Sequence, residues 1–490
     1  MLKSLTRSRS QNLHADLSRE DLDRVLYFAH RIHKLDLSAH STTNLLRSGE
    51  LLSKHTYDRL LTAFKKSTWP RTPFLPTLSE LVIPLHYLGW QDLEGIEGLV
   101  WGPCISKLSI RNGSDGTGTS LGEDKLWQNV ARLVSESEDR LTHFDVLLYG
   151  PYGVPFHWTT PVFTLIVQTL KTSAPSLTHL NLESLPLADI NLIACLGTIF
   201  SLEVLTMNIA LEYLADSDSN LRGHFSGLKV ATIIVCAPDV ISDLVRVWNA
   251  TRLESLTIKR SDRSHCWFTD VIFQHLGQHL PARSLRSLIV CNTVDDGYWH
   301  PLNFKLLTSD TTSNTFESLA PLSGLEELLI NLGGQVVLDD NSLLNVAKAF
   351  PNLRKFELHE REISVPSTIS PRGIFAFTTA LPRLQDLVLR FNGTGGFPGT
   401  ADIIPHQLLT WDICTSDARH VEPLYSFIAY AFPCLRKLLW GWNYSDPREA
   451  YEINFEYEMD AHKTRAEQSL ECWNDIFKRL RLGSAFGEGA

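Results

Sequence analysis

Apolar residues recur along this chain in one short phrase: an apolar residue, two of any kind, an apolar residue, one of any kind, and a third apolar residue. The phrase starts fourteen times, at Ile32, Leu78, Ile105, Leu141, Leu177, Leu202, Leu228, Leu253, Leu285, Leu325, Leu353, Leu384, Leu408 and Leu435. Between Leu177 and Leu253 the steps are 25, 26 and 25 residues. Successive side chains of a strand point to opposite faces. The second and third apolar residues, two apart, are therefore predicted to plug one face, as with Leu180 and Leu182, Leu256 and Ile258, and Leu387 and Leu389. The first apolar residue sits in the turn entering the strand.

Between the phrases, apolar residues fall at three- and four-residue spacing, the mark of a helix with one buried face. Examples are "EDKLWQNVARLVSESE" (Leu126, Val130, Leu133, Val134), "DVISDLVRVW" (Val240, Leu244, Val247) and "SLLNVAKAF" (Leu343, Leu344, Ala347, Phe350). Pro175, Pro281, Pro351, Pro382 and Pro433 stand between a helix pattern and a strand pattern. Each disfavours helical geometry in the residue before it and so ends the helix. Helix and strand in alternation predict a parallel sheet with helices outside it, repeated at the 20–29-residue period of leucine-rich repeats. The expected fold class is an α/β leucine-rich repeat solenoid, a right-handed horseshoe or arc with a concave parallel sheet, capped at both ends.

The stretch "LDDNSLLNVAKAFPNLRKFEL" (Leu338 to Leu358) is similar to the cysteine-containing repeat of F-box/LRR proteins, which reads Asp-x-x-Leu, helix, Cys-Pro-x-Leu, strand; Phe350 stands at the cysteine position. The segment Ile289 to Gly297 has the same flavour, and "VLYFAHRIHKLDL" (Val25 to Leu37) looks like the segment that follows an F-box. The chain thus resembles divergent, fungal-like F-box/LRR proteins of the ribonuclease-inhibitor-like class over about residues 25–443. Nothing before Asp23 resembles the F-box itself. The resemblance implies non-enzymatic protein recognition, with a ubiquitination substrate as the candidate partner and a ligase adaptor only if an F-box lies outside this chain. The alternative is an LRR scaffold or regulator unrelated to ubiquitin ligases.

Residues 1–24 form a basic segment expected to be poorly ordered, 25–443 the repeat domain with about 14 irregular repeats, and 444–490 a capping tail. The tail's helical part puts Leu470, Trp473, Ile476, Phe477 and Leu480 on one face, while Trp440, Trp442 and Tyr444 read as cover for the last strand. Leu22, Val25, Leu26 and Ala29 suggest an N-terminal capping helix.

Composition narrows the function. Of 490 residues, 43% are hydrophobic and 20% charged, enough apolar material for a folded core. A net charge of -10 argues against a protein built to neutralise phosphate backbones, so no nucleic-acid partner is expected. No run of 18 apolar residues is present, so no membrane-spanning segment is expected. The eight cysteines are scattered without a Cys-x-x-Cys pair, and the N-terminus lacks the apolar core of a signal peptide. These features predict a reduced, cytoplasmic or nuclear protein. A monomer is expected.

Candidate chemistry is sparse. His275 and His279 lie four apart in "DVIFQHLGQHL", without the glutamate of His-Glu-x-x-His. "NGSDGTGTSLGED" and "FNGTGGFPGT" are glycine-rich but carry no phosphate-loop pattern, and read as flexible loops between repeats. No G-x-S-x-G elbow occurs. No enzyme activity, cofactor or metal is expected.

Function is expected on the residue between the second and third apolar positions, which points outward. In the first half these residues are Asp36, Val82, Ser109, Asp145, Asn181, Thr206, Thr232 and Thr257, all polar but Val82. From Leu285 onward they are Ile289, Leu329, Glu357, Val388, Asp412 and Leu439, four of them large and apolar. Large exposed apolar patches mark interaction sites. With the flanking Lys355 and Arg390, these six residues form the candidate partner-binding face. The alternative is that "NLGGQVVL" (Asn331 to Leu338) or the tail after Trp442 covers the stripe.

Overall fold

Each of the fourteen phrases opens a strand, and each strand begins two residues after the phrase's first apolar residue. In this computed structural model the described residues are 27, 31–36, 77–84, 104–111, 131, 134–135, 140–147, 169–171, 175–187, 190–209, 225–235, 237, 239–248, 250–260, 270–292, 309–360, 367–414, 416–440 and 459–480. The chain divides into two compact units, Met1–Ala210 with Ser219–Leu228, and Leu211–Asp218 with Lys229–Ala490. Each is an α/β solenoid of the leucine-rich repeat type.

The first unit holds β1 (Lys34–Asp36), β2 (Glu80–Pro84), β3 (Lys107–Arg111), β4 (His143–Leu147), β5 (His179–Leu187) and β6 (Val204–Ile209). Each pairs in parallel with the next in sequence order. Among its described residues lies one whole helix, α1 (Ile190–Gly197).

The second unit holds β7 (Val230–Val235), β8 (Ser255–Arg260), β9 (Ser287–Asn292), β11 (Glu327–Asn331), β13 (Lys355–Leu358), β14 (Asp386–Val388), β16 (Thr410–Asp412) and β18 (Lys437–Leu439), again parallel in that order. Its helices are α2 (Asp239–Val247), α3 (Asp270–His279), α4 (Ser313–Leu319), α5 (Asp340–Ala349), α6 (Pro371–Ala380), α7 (Val421–Ala431) and α8 (Met459–Leu480). Two short parallel pairs sit beside the main sheet, β10 (Ser309–Thr312) with β12 (Gly333–Val337), and β15 (Asn392–Gly393) with β17 (Asp417–Ala418).

The rungs are joined by a repeated backbone device. The carbonyl of the second residue in a phrase accepts two N–H groups from the following rung: Lys229 O takes those of Glu254 (2.7 Å) and Ser255 (3.0 Å), Glu254 O those of Arg286 (2.8 Å) and Ser287 (3.0 Å), and so on to Leu409 O. The inward residues then stack in registered columns, and Leu256, Leu288, Leu328, Phe356, Leu387 and Trp411 are all at most 1% exposed.

Four of the five prolines act as the pattern predicts; the residues before Pro175 lie outside the described residues. In α3, α5, α6 and α7 the last helical residue is followed by one residue and then by Pro281, Pro351, Pro382 or Pro433. The intervening Leu280, Phe350, Leu381 and Phe432 are buried. Leaving helical geometry before a proline swings each of these side chains into the core. This is why Phe350 can hold the position that the resembling family gives to cysteine.

The paired aspartates of "LDDN" divide two tasks. Asp339 caps α5 by accepting the Ser342 N–H at 2.7 Å, the ordinary role of an N-cap carboxylate. Asp340 reaches the next rung and accepts the Ser370 N–H at 2.7 Å and its hydroxyl at 2.6 Å. Ser370 in turn accepts the Gly373 N–H at 3.2 Å and caps α6.

At the C-terminal end, α8 packs on α7 and β17. Trp473, Ile476 and Phe477 are buried, and the Trp473 indole donates to Ser416 O at 2.9 Å. Trp473 meets Phe391, which stacks on Trp411 at 5.2 Å. The half-buried Trp440 also donates to Ser416 O, at 3.2 Å. Leu470, Trp442, Tyr444, the residues named for the N-terminal helix, "NGSDGTGTSLGED" and residues 1–24 lie outside the described residues or side chains.

Two expectations need correction. "NLGGQVVL" is no loop: it supplies β12, because its valines complete a second parallel pair. "FNGTGGFPGT" is not a free loop either. Phe391 is fully buried, the Asn392 N–H donates to Ile369 O at 2.8 Å, and Gly396 turns with φ +73° while its carbonyl accepts the Arg372 N–H at 2.9 Å.

The packing of α3 on α4 depends on Gly277, where an added Cβ would stand 2.0 Å from Ser318 O. We expect Gly277→Ala to cost about 1–2 kcal/mol, because overpacking against backbone outweighs the better helix propensity of alanine. Gly395→Ala, with nothing within 4 Å of its Cβ, should change stability by less than about 0.5 kcal/mol. Urea midpoints of the two variants check this.

Candidate recognition face

The ladder carries the outward residues into register along with the inward ones. In the second unit Thr232, Thr257, Ile289, Leu329, Glu357, Val388, Asp412 and Leu439 are consecutive Cα partners, one per strand. Ile289, Leu329, Val388 and Leu439 are all half-buried. Their outer edges stay accessible, and neither β12 nor α8 removes them from solvent. The apolar residues do not form one strip, because Glu357 parts Leu329 from Val388 and Asp412 parts Val388 from Leu439.

A parallel row runs beside it, two residues nearer the strand starts: Ser287, Glu327, Lys355, Asp386, Thr410 and Lys437. Its charges alternate in sign. Ser287 donates to Glu327 at 3.1 Å, and Lys355 Nζ lies 2.8 Å from Glu357 Oε1. His359, at the end of β13's line, places Nε2 3.0 Å from the other oxygen of Glu357. Glu357 is thus held on both sides in the middle of the face.

The two carboxylates of the central row behave oppositely. Burial opposes ionisation of Glu357, but hydrogen bonds from His359 and Lys355 outweigh it and hold the carboxyl below its ordinary value. The hydrogen bond to Glu357 also raises the Lys355 ammonium. Among the described residues no cation is in hydrogen-bonding contact with Asp412. Burial pushes its carboxyl up, opposed by the Cys414 N–H that its Oδ1 accepts at 2.8 Å. That turn places Cys414 at φ 50°, the left-handed region, which an aspartate two residues earlier commonly stabilises.

Arg390 does not join the face. Its side chain is 5% exposed and its Nη1 lies 3.4 Å from Glu360 Oε2, itself 3% exposed. The β14 strand ends at Val388, so strict alternation no longer directs the side chain outward two residues later. Glu360 Oε1 also accepts the Val336 N–H at 3.3 Å, tying β12 to this buried pair. A buried guanidinium needs such a carboxylate to offset its desolvation.

In the first unit the outward row is Asp36, Val82, Ser109, Asp145, Asn181 and Thr206, again in register. Val82 is fully buried and Ser109 is 6% exposed, so that part of the row is covered. What the row analysis missed lies beside it: His143 and His179, the first residues of β4 and β5, stack with ring centroids 4.0 Å apart. The repeated Leu-Thr-His of residues 141–143 and 177–179 is the signal that could have found them. His275 and His279 meet edge-on at 6.0 Å on α3, and among the described residues no third metal-ligating side chain joins a histidine pair.

No protein-family model and no curated protein matches this chain. Among solved structures, it is similar to a chain of the yeast Rad7–Elc1 complex, with TM-score 0.42 and 14% identity over 89% of this chain and 90% of that one. It is also similar to the leucine-rich repeat-containing protein LegL7 from Legionella pneumophila, with TM-score 0.31 and 11% identity over 86% and 97%. A chain of the TLR13–ssRNA13 complex gives TM-score 0.34 and 14% identity over 76% and 57%. These are likenesses of fold; the repeat type rests on the strand ladder itself.

The two carboxylates make opposite predictions. The folded pKa of Glu357 lies below its ordinary 4.5, so its stabilisation is full above that pH and is lost as pH falls through the folded value. Glu357→Gln should cost about 1 kcal/mol near neutrality, and the difference should shrink in acid. The folded pKa of Asp412 lies above its ordinary 3.8, so stability falls as pH rises from the ordinary value through the folded one and stays lower above it. Asp412→Asn, which keeps the acceptor for Cys414, should raise the urea midpoint at neutral pH. Midpoints moving in the same direction would contradict this account.

Proposed function

We propose that the protein is a non-enzymatic recognition module that binds a protein segment across the open face of its second unit. The observation that carries this is the registered row Ile289, Leu329, Glu357, Val388, Asp412 and Leu439, in which half-exposed apolar side chains alternate with two carboxylates. Apolar residues left accessible in fixed register offer burial to a partner. The carboxylates between them demand matching donors and so confer selectivity.

The mixed signs of the neighbouring row, Glu327, Lys355, Asp386 and Lys437, favour a protein partner over nucleic acid, which selects uniformly basic surfaces. No helix among the described residues is long and apolar enough to cross a membrane. The finer reading, that the bound protein is a ubiquitination substrate, rests on the F-box/LRR resemblance of Leu338 to Leu358. It requires an F-box outside this chain, and co-purification with a cullin-type ligase adaptor is its separate test.

The face is tested with a photo-crosslinking benzoylphenylalanine placed at Leu329 and, as a control, at Val271, which is 55% exposed on α3. In cells, position 329 should give one discrete protein adduct that Val388→Asp abolishes while the melting temperature is retained. Equal adducts from both positions, or an adduct indifferent to Val388→Asp, would sink the proposal.

A further inference from the structure

We propose that His143 and His179, stacked on adjacent rungs of the first unit, form a proton-gated docking point for a carboxylate presented by an acidic peptide. The two rings lie 4.0 Å apart and within 13° of parallel. Each is fixed by the threonine before it, with Thr142 Oγ1 2.8 Å from His143 Nδ1 and Thr178 Oγ1 2.8 Å from His179 Nδ1. Both rings are therefore held at Nδ1 and present Nε2 on the far side. Among the described residues no hydrogen bond reaches either Nε2, and both residues are half-buried, within reach of solvent.

The backbone carbonyls before the two rings fix the threonines. Ser106 O accepts the N–H groups of Thr142 (2.8 Å) and His143 (3.0 Å), and Thr142 O those of Thr178 (3.0 Å) and His179 (3.0 Å). Each threonine hydroxyl also donates to that carbonyl at 3.1 Å and lies 2.8 Å from Nδ1. A protonated ring carries a hydrogen on both nitrogens, so its Nδ1–H meets the threonine oxygen and its Nε2–H is left facing outward. That charged donor is the group a carboxylate oxygen accepts.

The surrounding charges fit one negative charge. Lys34 and Glu80 pair with each other. Arg111 and Asp145 act on one another from β3 and β4, and burial pushes the Asp145 carboxyl up. Lys107 is the direct strand neighbour of His143, and among the described residues no ion pair reaches it. Lys107 stands between Glu80 of β2 and His143 of β4, and its single charge matches a carboxylate better than the near-double charge of a phosphate. Burial, then His179 and Lys107, lower the His143 pKa against the pull of Glu80. A bound anion favours the charged form of the His143 ring.

This inference does not rest on the face of the second unit. The test uses the full chain with 13Cε1-labelled histidine, an acetylated tetra-glutamate peptide, and inorganic phosphate as the competing source of oxyanion. His143→Gln and His179→Gln assign the two signals. The peptide should shift both signals and raise their titration midpoints, and its affinity should rise by up to about tenfold per pH unit on acidification, the limit for one linked proton. Each glutamine variant should weaken peptide binding by at least about fivefold. Silent signals, pH-independent binding, or shifts with phosphate but not with peptide would overturn the proposal.

Discussion

The carbonyl that accepts two N–H groups from the following rung is the joint on which this structure depends. It sits at the second position of the phrase, just before the strand, in rungs from His33 to Thr178 and from Lys229 to Leu409. Because the joint is pure backbone, that position is free to vary. The first unit fills it with Ser79, Ser106, Thr142 and Thr178, each adding a hydroxyl contact to the carbonyl of the rung before. The second unit fills it with long polar side chains such as Arg286 and Glu326, 3.9 Å apart. About half exposed to water, such a pair adds little stability.

Once the joint fixes register, inside and outside follow together. Columns such as Leu328, Phe356 and Leu387 are buried by the same pairing that aligns Leu329, Glu357 and Val388 outside. An aligned outer row therefore comes with the core and needs no separate folding event. Its sequence can drift as far as its own electrostatics permit. Glu357 shows one limit, a half-buried carboxylate made tolerable by Lys355 and His359. Asp412 shows the other, a carboxylate that burial disfavours more than the Cys414 N–H supports it. A group kept at a cost to stability is a candidate for function, and on this row Asp412 is that group.

Much of this was legible in the sequence. All fourteen strand starts follow from the apolar phrase, because period-two burial leaves a signal in every rung. The helix ends follow from prolines whose local stereochemistry needs no tertiary context. Arg390 was misread because alternation was extended two residues past the end of β14. "NLGGQVVL" and "FNGTGGFPGT" were misread because they lack the apolar phrase, and their glycines suggested freedom where strand pairing and hydrogen bonds impose order. The histidine stack was missed for a different reason. Its meaning lies in the contact between rungs 36 residues apart, and only a search for repeated tripeptides such as Leu-Thr-His could have raised it.

The central claim is that register across the rungs places these side chains on one open face. Engineered cysteine pairs test it most directly, since a disulfide requires Cα atoms roughly 4.4–6.8 Å apart and side chains pointing together. Lys355→Cys with Asp386→Cys joins two in-register outward positions and should oxidise readily in the folded protein. Lys355→Cys with Leu387→Cys pairs an outward position with an inward one and should stay reduced. Oxidation of the second pair in preference to the first would mean that the rungs are offset by one residue, and the proposed face would then be turned into the core.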